Sequence, residues 1–361
     1  MSLEIRIIPH KLDFKFNART SRGAMQQHQV YYLVITDLAA PETIGIGECA
    51  PLPGLSIEYS TDFYLRLQKV VQDLNKHLKQ DGISYLKSAV NSAELKSFPA
   101  VKFALETATL DLEHGGKKRI FTNAFSVGES GIPINGLIWM GDKSFMQDQI
   151  RQKLQDGYTC LKLKIGGLDF ATELEIIKSI RQVAAANDLI IRLDANGAFT
   201  PEEALDKLEK LSSFQIHSIE QPIKQGQWAA MQYLCQHSPI PVALDEELIN
   251  ILEKEEKEQI LQHIKPPFII LKPTLLGGFQ ACSEWITLAD KAGTEWWITS
   301  ALESNIGLNA ISQFTAEYSV TMEQGLGTGQ LYHNNISSPL KIEKGKLFYQ
   351  ENQFWDNSLF K

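Results

Sequence analysis

The chain has 361 residues, a length that fits one large domain and a smaller companion. Its formal net charge is -8, and its 22% of charged residues is typical of a globular protein. The acidic balance, without any run of lysines and arginines, argues against binding to nucleic acid. No stretch contains the about 18 apolar residues of a membrane helix, and charges interrupt the first sixteen positions, so we expect neither membrane spanning nor secretion. We expect a cytoplasmic protein, and a homo-oligomer is compatible with the sequence.

The N-terminal part is predicted to be a small α+β unit. Residues 3–16, 30–37 and 44–49 are rich in β-branched and aromatic side chains and predict three strands. Residues 17–29 between the first two strands are polar and predict a loop. Helical periodicity follows at residues 60–79 and 100–114. Strands followed by helices, without alternation, are typical of an α+β arrangement.

From about residue 132, short apolar runs alternate with amphipathic helical segments. Helices are predicted at residues 169–187, 201–211 and 278–292, among others, and strands at residues 134–139, 160–165, 190–194, 217–220, 242–245, 268–272, 296–300 and 324–328. Eight strands with helices between them favour a closed barrel over an open sheet. The predicted fold class is therefore α/β, with a (β/α)8-type barrel over residues 131–337. An α+β capping domain is predicted from residues 1–130, with the tail, residues 338–361, returning to it.

Two lysines on the second predicted barrel strand are unusual. The strand reads Leu161-Lys162-Leu163-Lys164-Ile165. Alternate residues of a strand face opposite sides, so burying the apolar face under helices turns Lys162 and Lys164 toward the barrel interior. Barrel interiors are normally filled by branched apolar side chains. An inward pair of lysines therefore indicates a function.

Carboxylates are predicted at the ends of the next three strands. The same alternation turns Asp194 and Asn196, Glu220, Asp245 and Lys272 inward at the C-terminal strand ends, where barrel enzymes build their active sites. The gaps of 26, 25 and 27 residues between the four charged positions correspond to about one βα unit each. Three converging carboxylates repel one another unless a cation neutralises them. Hard oxygen ligands favour Mg²⁺, with Mn²⁺ as a substitute, so we predict a metal site.

Taken singly, these residues have simpler interpretations. A lone aspartate at a strand end is often a helix cap, and inward lysines can pair with acids. Five inward charges at one rim nevertheless cost too much free energy without a function or a metal. Strands two and six of eight lie opposite each other, so Lys164 and Lys272 are predicted to face one another across a carboxylate substrate. Lys162 is predicted to lower the pKa of Lys164 and make it a base near neutrality.

At these residues the sequence resembles the enolase superfamily, muconate-lactonizing subgroup. The K-x-K motif is matched by residues 162–164, D-x-N by 194–196, E-Q-P by 220–222, D-E by 245–246 and the sixth-strand lysine by Lys272. The resemblance covers nearly the whole chain. Residues 135–139, 300–307 and 325–332 are most similar to the o-succinylbenzoate synthase family of that subgroup. The resemblance implies a dehydratase of menaquinone synthesis in which Lys164 removes the α proton of a cyclohexadiene carboxylate and then assists loss of the hydroxyl. Lys272 would stabilise the enediolate.

Several further residues are expected near the substrate. We expect Lys162, Asn196, Ser300 and Gly327 to contact it. Arg22, in the predicted loop, could meet a succinyl carboxylate, although a flexible charged loop is equally compatible with the sequence. Relatives often have serine after the D-E motif, whereas this chain has Glu247, which we expect to point away from the metal.

Other functions use the same residues. Dipeptide epimerases of the subgroup generally carry a D-x-D motif on the eighth strand, and residues 325–329 contain no aspartate. N-succinylamino acid racemase stays open, because its substrates also carry a succinyl group. Muconate cycloisomerase is less favoured by the stretches after the seventh and eighth strands. A noncatalytic barrel would be expected to lose a lysine or a metal acid, and the chain retains all five.

Overall fold

The N-terminal strands form one antiparallel sheet. The computed structural model describes residues 2–20 and 23–361. Strands β1 (Leu3–Thr20), β2 (Gly23–Asp37) and β3 (Ala40–Cys49) pair in the order β1-β2-β3. The three predicted strands are confirmed. The interpretation of residues 17–29 as a loop is wrong for residues 17–20 and 23–29, because the hairpin continues through the pairs Ala18–Met25 and Arg19–Ala24. Backbone hydrogen bonds extend the ladder there through mostly polar side chains, and Ala18 and Met25 pack in one apolar cluster.

Two helices pack on this sheet. Helix α1 spans Phe63–Val90, with a non-helical break at Gly82, and helix α2 spans Pro99–Glu113. A Cβ atom added at Gly47 would lie 1.8 Å from the backbone oxygen of Ala104. Glycine at this position therefore lets α2 approach β3 backbone to backbone.

The remaining chain alternates strands and helices. The strands are β4 (Ile132–Pro133), β5 (Gly136–Ile138), β6 (Cys160–Lys164), β7 (Ile190–Asp194), β8 (Ser218–Glu220), β9 (Val242–Leu244), β10 (Phe268–Leu271) and β11 (Glu295–Ile298). The helices are α3 (Lys143–Gln155), α4 (Phe170–Val183), α5 (Pro201–Ser212), α6 (Trp228–His237), α7 (Lys254–Ile264), α8 (Pro273–Leu276), α9 (Gly278–Ala292) and α10 (Asn305–Thr315). The fold is mixed α/β.

Seven of these strands form a parallel half-barrel in the order β11-β10-β9-β8-β7-β6-β5. The predicted eighth strand is reduced to bridges at Gln324 and Gly325, followed by a 3-10 turn over Thr328–Gln330. Gln324 bridges to Ile134, beside β5, and Gly325 bridges to Thr299, beside β11. The glycine-rich segment thus joins the two edges of the sheet, although glycine disfavours a longer regular strand.

The outward face of the half-barrel holds the main core. Leu161, Leu163, Leu193, Ile219 and Leu244 are all fully buried in one cluster with helix residues. The prediction that these side chains pack under the helices is confirmed. Their alternate neighbours are turned to the interior.

The C-terminal tail contributes two strands, β12 (Leu340–Glu343) and β13 (Lys346–Tyr349). Strand β13 pairs with β4, giving a small sheet of order β12-β13-β4. Further on, the ring of Phe360 contacts Tyr32 of β2 edge-on, at 5.1 Å between centroids. The tail strands therefore pair beside the half-barrel, and the last residues reach the N-terminal sheet. Within the described ranges, no helix is long and apolar enough to cross a membrane.

Candidate active site

Six charged side chains meet at the C-terminal ends of five adjacent strands. Lys162 and Lys164 lie on β6, Asp194 ends β7, Glu220 ends β8, Asp245 follows β9 and Lys272 follows β10. The strand register sets Lys164 beside Asp194 and Asp194 beside Glu220. The structure therefore brings together the lysines and carboxylates that the sequence singled out.

The ammonium groups lie directly against the carboxylates. Lys164 Nζ is 2.5 Å from Asp194 Oδ2, and Lys162 Nζ is 2.8 Å from the same oxygen. Lys162 also contacts Glu220, and Lys272 contacts Asp245 and lies 3.9 Å from Glu220 Oε1. Because these side chains are at most 12% exposed, the charges are neutralised mainly by one another.

This arrangement shifts the pKa values of the acids in different directions. Burial would raise the pKa of Asp194, but the ammonium groups of Lys162 and Lys164 hold it well below its usual range. Burial, reinforced by Asp194, raises the pKa of Glu220 well above its usual range. For Asp245, Lys272 outweighs burial and lowers the pKa. The rim thus combines two ionised acids with one that binds a proton more readily.

The lysines are also differentiated. Burial lowers the pKa of Lys164, with Lys162 acting in the same direction and Asp194 opposing them. Burial acts similarly on Lys162 and Lys272, but their carboxylate neighbours raise both pKa values. The predicted direction for Lys164 is confirmed. Its largest cause is loss of hydration, and the charge of Lys162 is a smaller contribution.

Asn196 orients the end of Lys164. Lys164 Nζ donates to Asn196 Oδ1 at 3.0 Å, and Asn196 Nδ2 donates to Glu246 Oε1 at 3.0 Å. Its backbone N–H donates to Asp194 Oδ1 at 3.0 Å, with φ of 46° at Asn196. Asparagine tolerates this left-handed conformation better than most residues. The side chain expected to touch the substrate is therefore engaged with the lysine.

A pocket of about 300 Å³ opens above the rim. Among the predicted site residues it is lined by Lys162, Lys164, Lys272, Ser300 and Gly327; it is also lined by Met25, Leu52, Asn135, Trp139, Leu302 and Thr328, among others. The additional lining residues come from five separate segments. Residues 135–139, 300–307 and 325–332 carried a signal in the sequence, whereas the segments around Met25 and Leu52 did not. Arg22 lies outside the described residues.

Glu247 points away from the rim, as expected. Its Oε1 accepts from the backbone N–H of Gly226 at 2.8 Å, and its Oε2 accepts from Gln221 Nε2 at 3.1 Å. Gln221 Oε1 accepts from the backbone N–H groups of Asp245 and Glu247. This network, which the sequence did not predict, fixes the backbone that carries Asp245.

The donor set fits a hard divalent cation. Asp194, Glu220 and Asp245 supply carboxylate oxygens, the ligands that Mg²⁺ prefers. Glu220 Oε1 is buried and has no hydrogen-bond partner among residues 2–20 and 23–361. In the arrangement described, lysine ammonium groups lie against these acids, and no group of three or more His, Cys, Asp and Glu side chains in those residues is set to hold an ion. The carboxylates would therefore have to exchange ammonium contacts for metal contacts.

Comparison with known proteins gives consistent matches. Residues 146–352 match the family described as enolase C-terminal domain-like. The chain is 45% identical to the o-succinylbenzoate synthase of Desulfotalea psychrophila, over 93% of this chain and 96% of that protein. The crystal structure of MenC from the same organism superimposes with a TM-score of 0.84 at 42% identity, covering 96% of this chain and 100% of the other. The N-succinylamino acid racemase of an Amycolatopsis species is 23% identical, over 91% of this chain and 87% of that protein.

Proposed function

This chain belongs to the enolase superfamily, in its o-succinylbenzoate synthase family, and we propose that it dehydrates 2-succinyl-6-hydroxy-2,4-cyclohexadiene-1-carboxylate to 2-succinylbenzoate. It is a carbon-oxygen lyase. The observation that carries the proposal is the pair of lysines, Lys164 and Lys272, whose side chains are only 10% and 12% exposed and lie on one rim beneath a single pocket. We further propose that its product serves menaquinone synthesis.

Lys164 is proposed as the base. Its amine takes the α proton, and the electron pair left behind is delocalised onto the substrate carboxylate as an enediolate. The electrons then form a new ring double bond between the α carbon and the carbon that carries the hydroxyl as its C–O bond breaks, and the Lys164 ammonium gives its proton to the leaving hydroxyl so that water departs. The contact with Asn196 keeps Lys164 Nζ at a fixed place. Aromatisation makes the reaction favourable.

Lys272 is proposed to act electrostatically. It follows β10, and β7, β8 and β9 lie between that strand and β6. Its ammonium group, held by Asp245, provides positive charge toward the enediolate without having to transfer a proton. A fixed charge in a site shielded from water stabilises developing negative charge more than it would in solution.

We propose that Asp194, Glu220 and Asp245 hold Mg²⁺, with Mn²⁺ as a substitute. When bound, the ion would supply Lewis-acid stabilisation of negative charge on the substrate carboxylate. Ser300 and Gly327 are proposed to contact the substrate from the pocket wall, together with Lys162, Asn196 and Arg22. Ser300 Oγ lies 2.7 Å from Thr328 Oγ1, which fixes its direction.

We also propose that the half-barrel is a complete (β/α)8-type barrel over residues 131–337. The bridges of Gln324 and Gly325 to both sheet edges support closure. Residues 1–130, with 338–361, are proposed as the capping domain. Support comes from Met25 and Leu52, which line the pocket from the N-terminal part, and from the contact of Phe360 with Tyr32.

The test is direct turnover. Purified protein is incubated with Mg²⁺ and the cyclohexadiene substrate, and aromatisation is followed in the ultraviolet. A parallel assay follows racemisation of an N-succinylamino acid, a second candidate that the same two lysines and the Amycolatopsis relative favour. Rapid racemisation without dehydration would overturn the proposed function.

A further inference from the structure

A carboxylate from the N-terminal sheet caps a helix that begins beside the pocket. Glu48, on β3, is fully buried. Its Oε1 accepts from the backbone N–H of Ser304 at 2.7 Å, and its Oε2 accepts from Ser304 Oγ at 2.6 Å and from the Gly307 N–H at 2.8 Å. These donors lie at the start of α10. A negative charge at a helix N-terminus satisfies free N–H groups and interacts favourably with the helix dipole.

Ser304 is held by two further contacts. Its hydroxyl accepts from Tyr32 OH at 3.0 Å and from the Ile306 N–H at 3.2 Å, while donating to Glu48. Tyr32 lies on β2, so two strands of the N-terminal sheet meet the same serine. The sheet and the start of α10 are therefore joined by a buried, directional network, in which a lost partner is costly.

The segment just before this serine, residues 300–303, forms one wall of the pocket, and we call it the wall loop. Ser300, Ala301 and Leu302 all line the pocket. Leu302 has φ of 67°, a left-handed conformation that costs free energy for a leucine and persists only when surrounding contacts impose it. Tyr332 OH donates to the Leu302 carbonyl at 2.6 Å.

The wall loop is also joined to the strand end that carries Lys272. Glu303 Oε2 accepts from the Ala301 N–H at 2.6 Å, and Thr274 Oγ1 donates to Glu303 Oε1. Thr274 is two residues after Lys272. A displacement of Ser304 would therefore alter both the pocket wall and the neighbourhood of that lysine.

We propose that Glu48 is a positioning residue for the reaction, because its carboxylate fixes Ser304 and thereby places the wall loop against the substrate. This inference rests on the proposed dehydration. Glu48 touches the helix start and acts through the wall loop. It sets the distance between the wall loop and the substrate, on which near-attack geometry depends. Small misplacements at a reacting centre lower the rate strongly.

Glu106 offers a matched control. It lies on α2, is partly buried, and its Oε2 accepts from the Phe279 N–H at 2.6 Å, near the start of α9. Burial raises the pKa of both carboxyls to about 7. Phe279 and Glu106 line a separate pocket with Phe121. Both glutamates thus come from the N-terminal part and accept from a backbone N–H near a helix start, and only Glu48 leads to the wall loop.

The experiment compares Glu48→Gln with Glu106→Gln in the full chain. Glutamine keeps one acceptor oxygen, but its NH₂ group is a donor. Both Glu48 oxygens now accept hydrogen bonds, so the NH₂ group would face another donor. We expect kcat/KM to fall about tenfold or more in Glu48→Gln, mainly through kcat. Glu106→Gln is expected to lower Tm while leaving kcat/KM within about twofold of wild type. Equal kinetic effects in the two variants would overturn the proposal.

A second measurement keeps the two proposals separate. Amide hydrogen exchange of residues 300–304 is expected to accelerate in Glu48→Gln and to stay unchanged in Glu106→Gln, whatever the substrate is. Unchanged exchange in Glu48→Gln would overturn the positioning role, whereas a wild-type protein that does not dehydrate the substrate would overturn only the proposed function. If Glu48→Gln does not fold, Ser304→Ala serves instead, since it removes the hydroxyl contact and leaves the carboxylate bonded to two backbone N–H groups. Wild-type kcat/KM and exchange in Ser304→Ala would then overturn the proposal.

Discussion

Replacing Lys164 by arginine keeps the positive charge at the rim but removes a group that can give up a proton. Arginine stays protonated in proteins, so it can remain an ion-pair partner of Asp194 and cannot act as the base. Lys164→Ala removes charge and base together. If Lys164 removes the α proton, both variants are expected to lose dehydration, although their rims differ in charge.

The magnitude follows from the role and the contacts. A positioned general base contributes about 10²- to 10⁴-fold in rate, which corresponds to about 3 to 5 kcal/mol of barrier. Stability should suffer less. In Lys164→Ala, Asp194 keeps the ammonium group of Lys162 at 2.8 Å. The free energy of unfolding should therefore fall by less than the about 3–5 kcal/mol expected when a buried charge loses its partner.

The assay measures kcat from the ultraviolet change of aromatisation and, separately, exchange of the substrate α proton in heavy water. Lys257 supplies the control, because it is also buried and pairs with Glu284 at 2.5 Å on α9, away from the rim. Lys257→Arg is expected to keep wild-type kcat. If Lys164→Arg dehydrates and exchanges at a rate within tenfold of wild type, Lys164 is not the base.

Three other predictions concern packing, pH and the metal. Gly47→Ala should lower Tm by about 2–6 °C, because the new Cβ would collide with the Ala104 backbone, which no side-chain rotation relieves; an unchanged melting curve would contradict this. Burial raises the pKa of Glu106 from 4.5 to about 7, so the folded state retains a proton that the unfolded state has lost. The unfolding free energy contributed by Glu106 should therefore fall as pH rises from 4.5 to about 7. Glu106→Gln should flatten this part of the curve of Tm against pH. The same slope in the variant and the wild type would argue against a protonated Glu106 in the folded state. Treatment with EDTA should abolish dehydration, and Mg²⁺ or Mn²⁺ should restore it, whereas full activity in the chelator would refute the proposed metal site.

The charged rim was predictable because its signal is local. Alternation along β6 placed the leucines under the helices and the lysines inside, and the contacts of Lys162 and Lys164 with Asp194 agree with that orientation. Repeated spacing of about one βα unit then put the carboxylates at the same level of neighbouring strands. Both arguments need only the periodicity of a strand and the length of a repeat.

Local arguments failed where the backbone ladder continued through mostly polar side chains. Residues 17–20 and 23–29 belong to the long hairpin, because antiparallel pairing satisfies the backbone whatever the side chains are. The prediction of an eighth strand failed in the opposite sense, because the structure has less regular strand there than the sequence predicted. Gly325 and Gly327 leave only two bridge residues where a strand was expected, although those residues still join the sheet edges.

The sequence by itself determined the type of fold, the order of strands and helices, and the lysines and carboxylates that share the rim. Only the tertiary structure decided which distant segments enclose the pocket, and that Glu48 bonds to Ser304, 256 positions later in the chain. Periodicity reports which face of an element is buried. The partner that covers that face depends on how whole elements pack together. No local sequence pattern encodes a contact between residues so far apart in the chain.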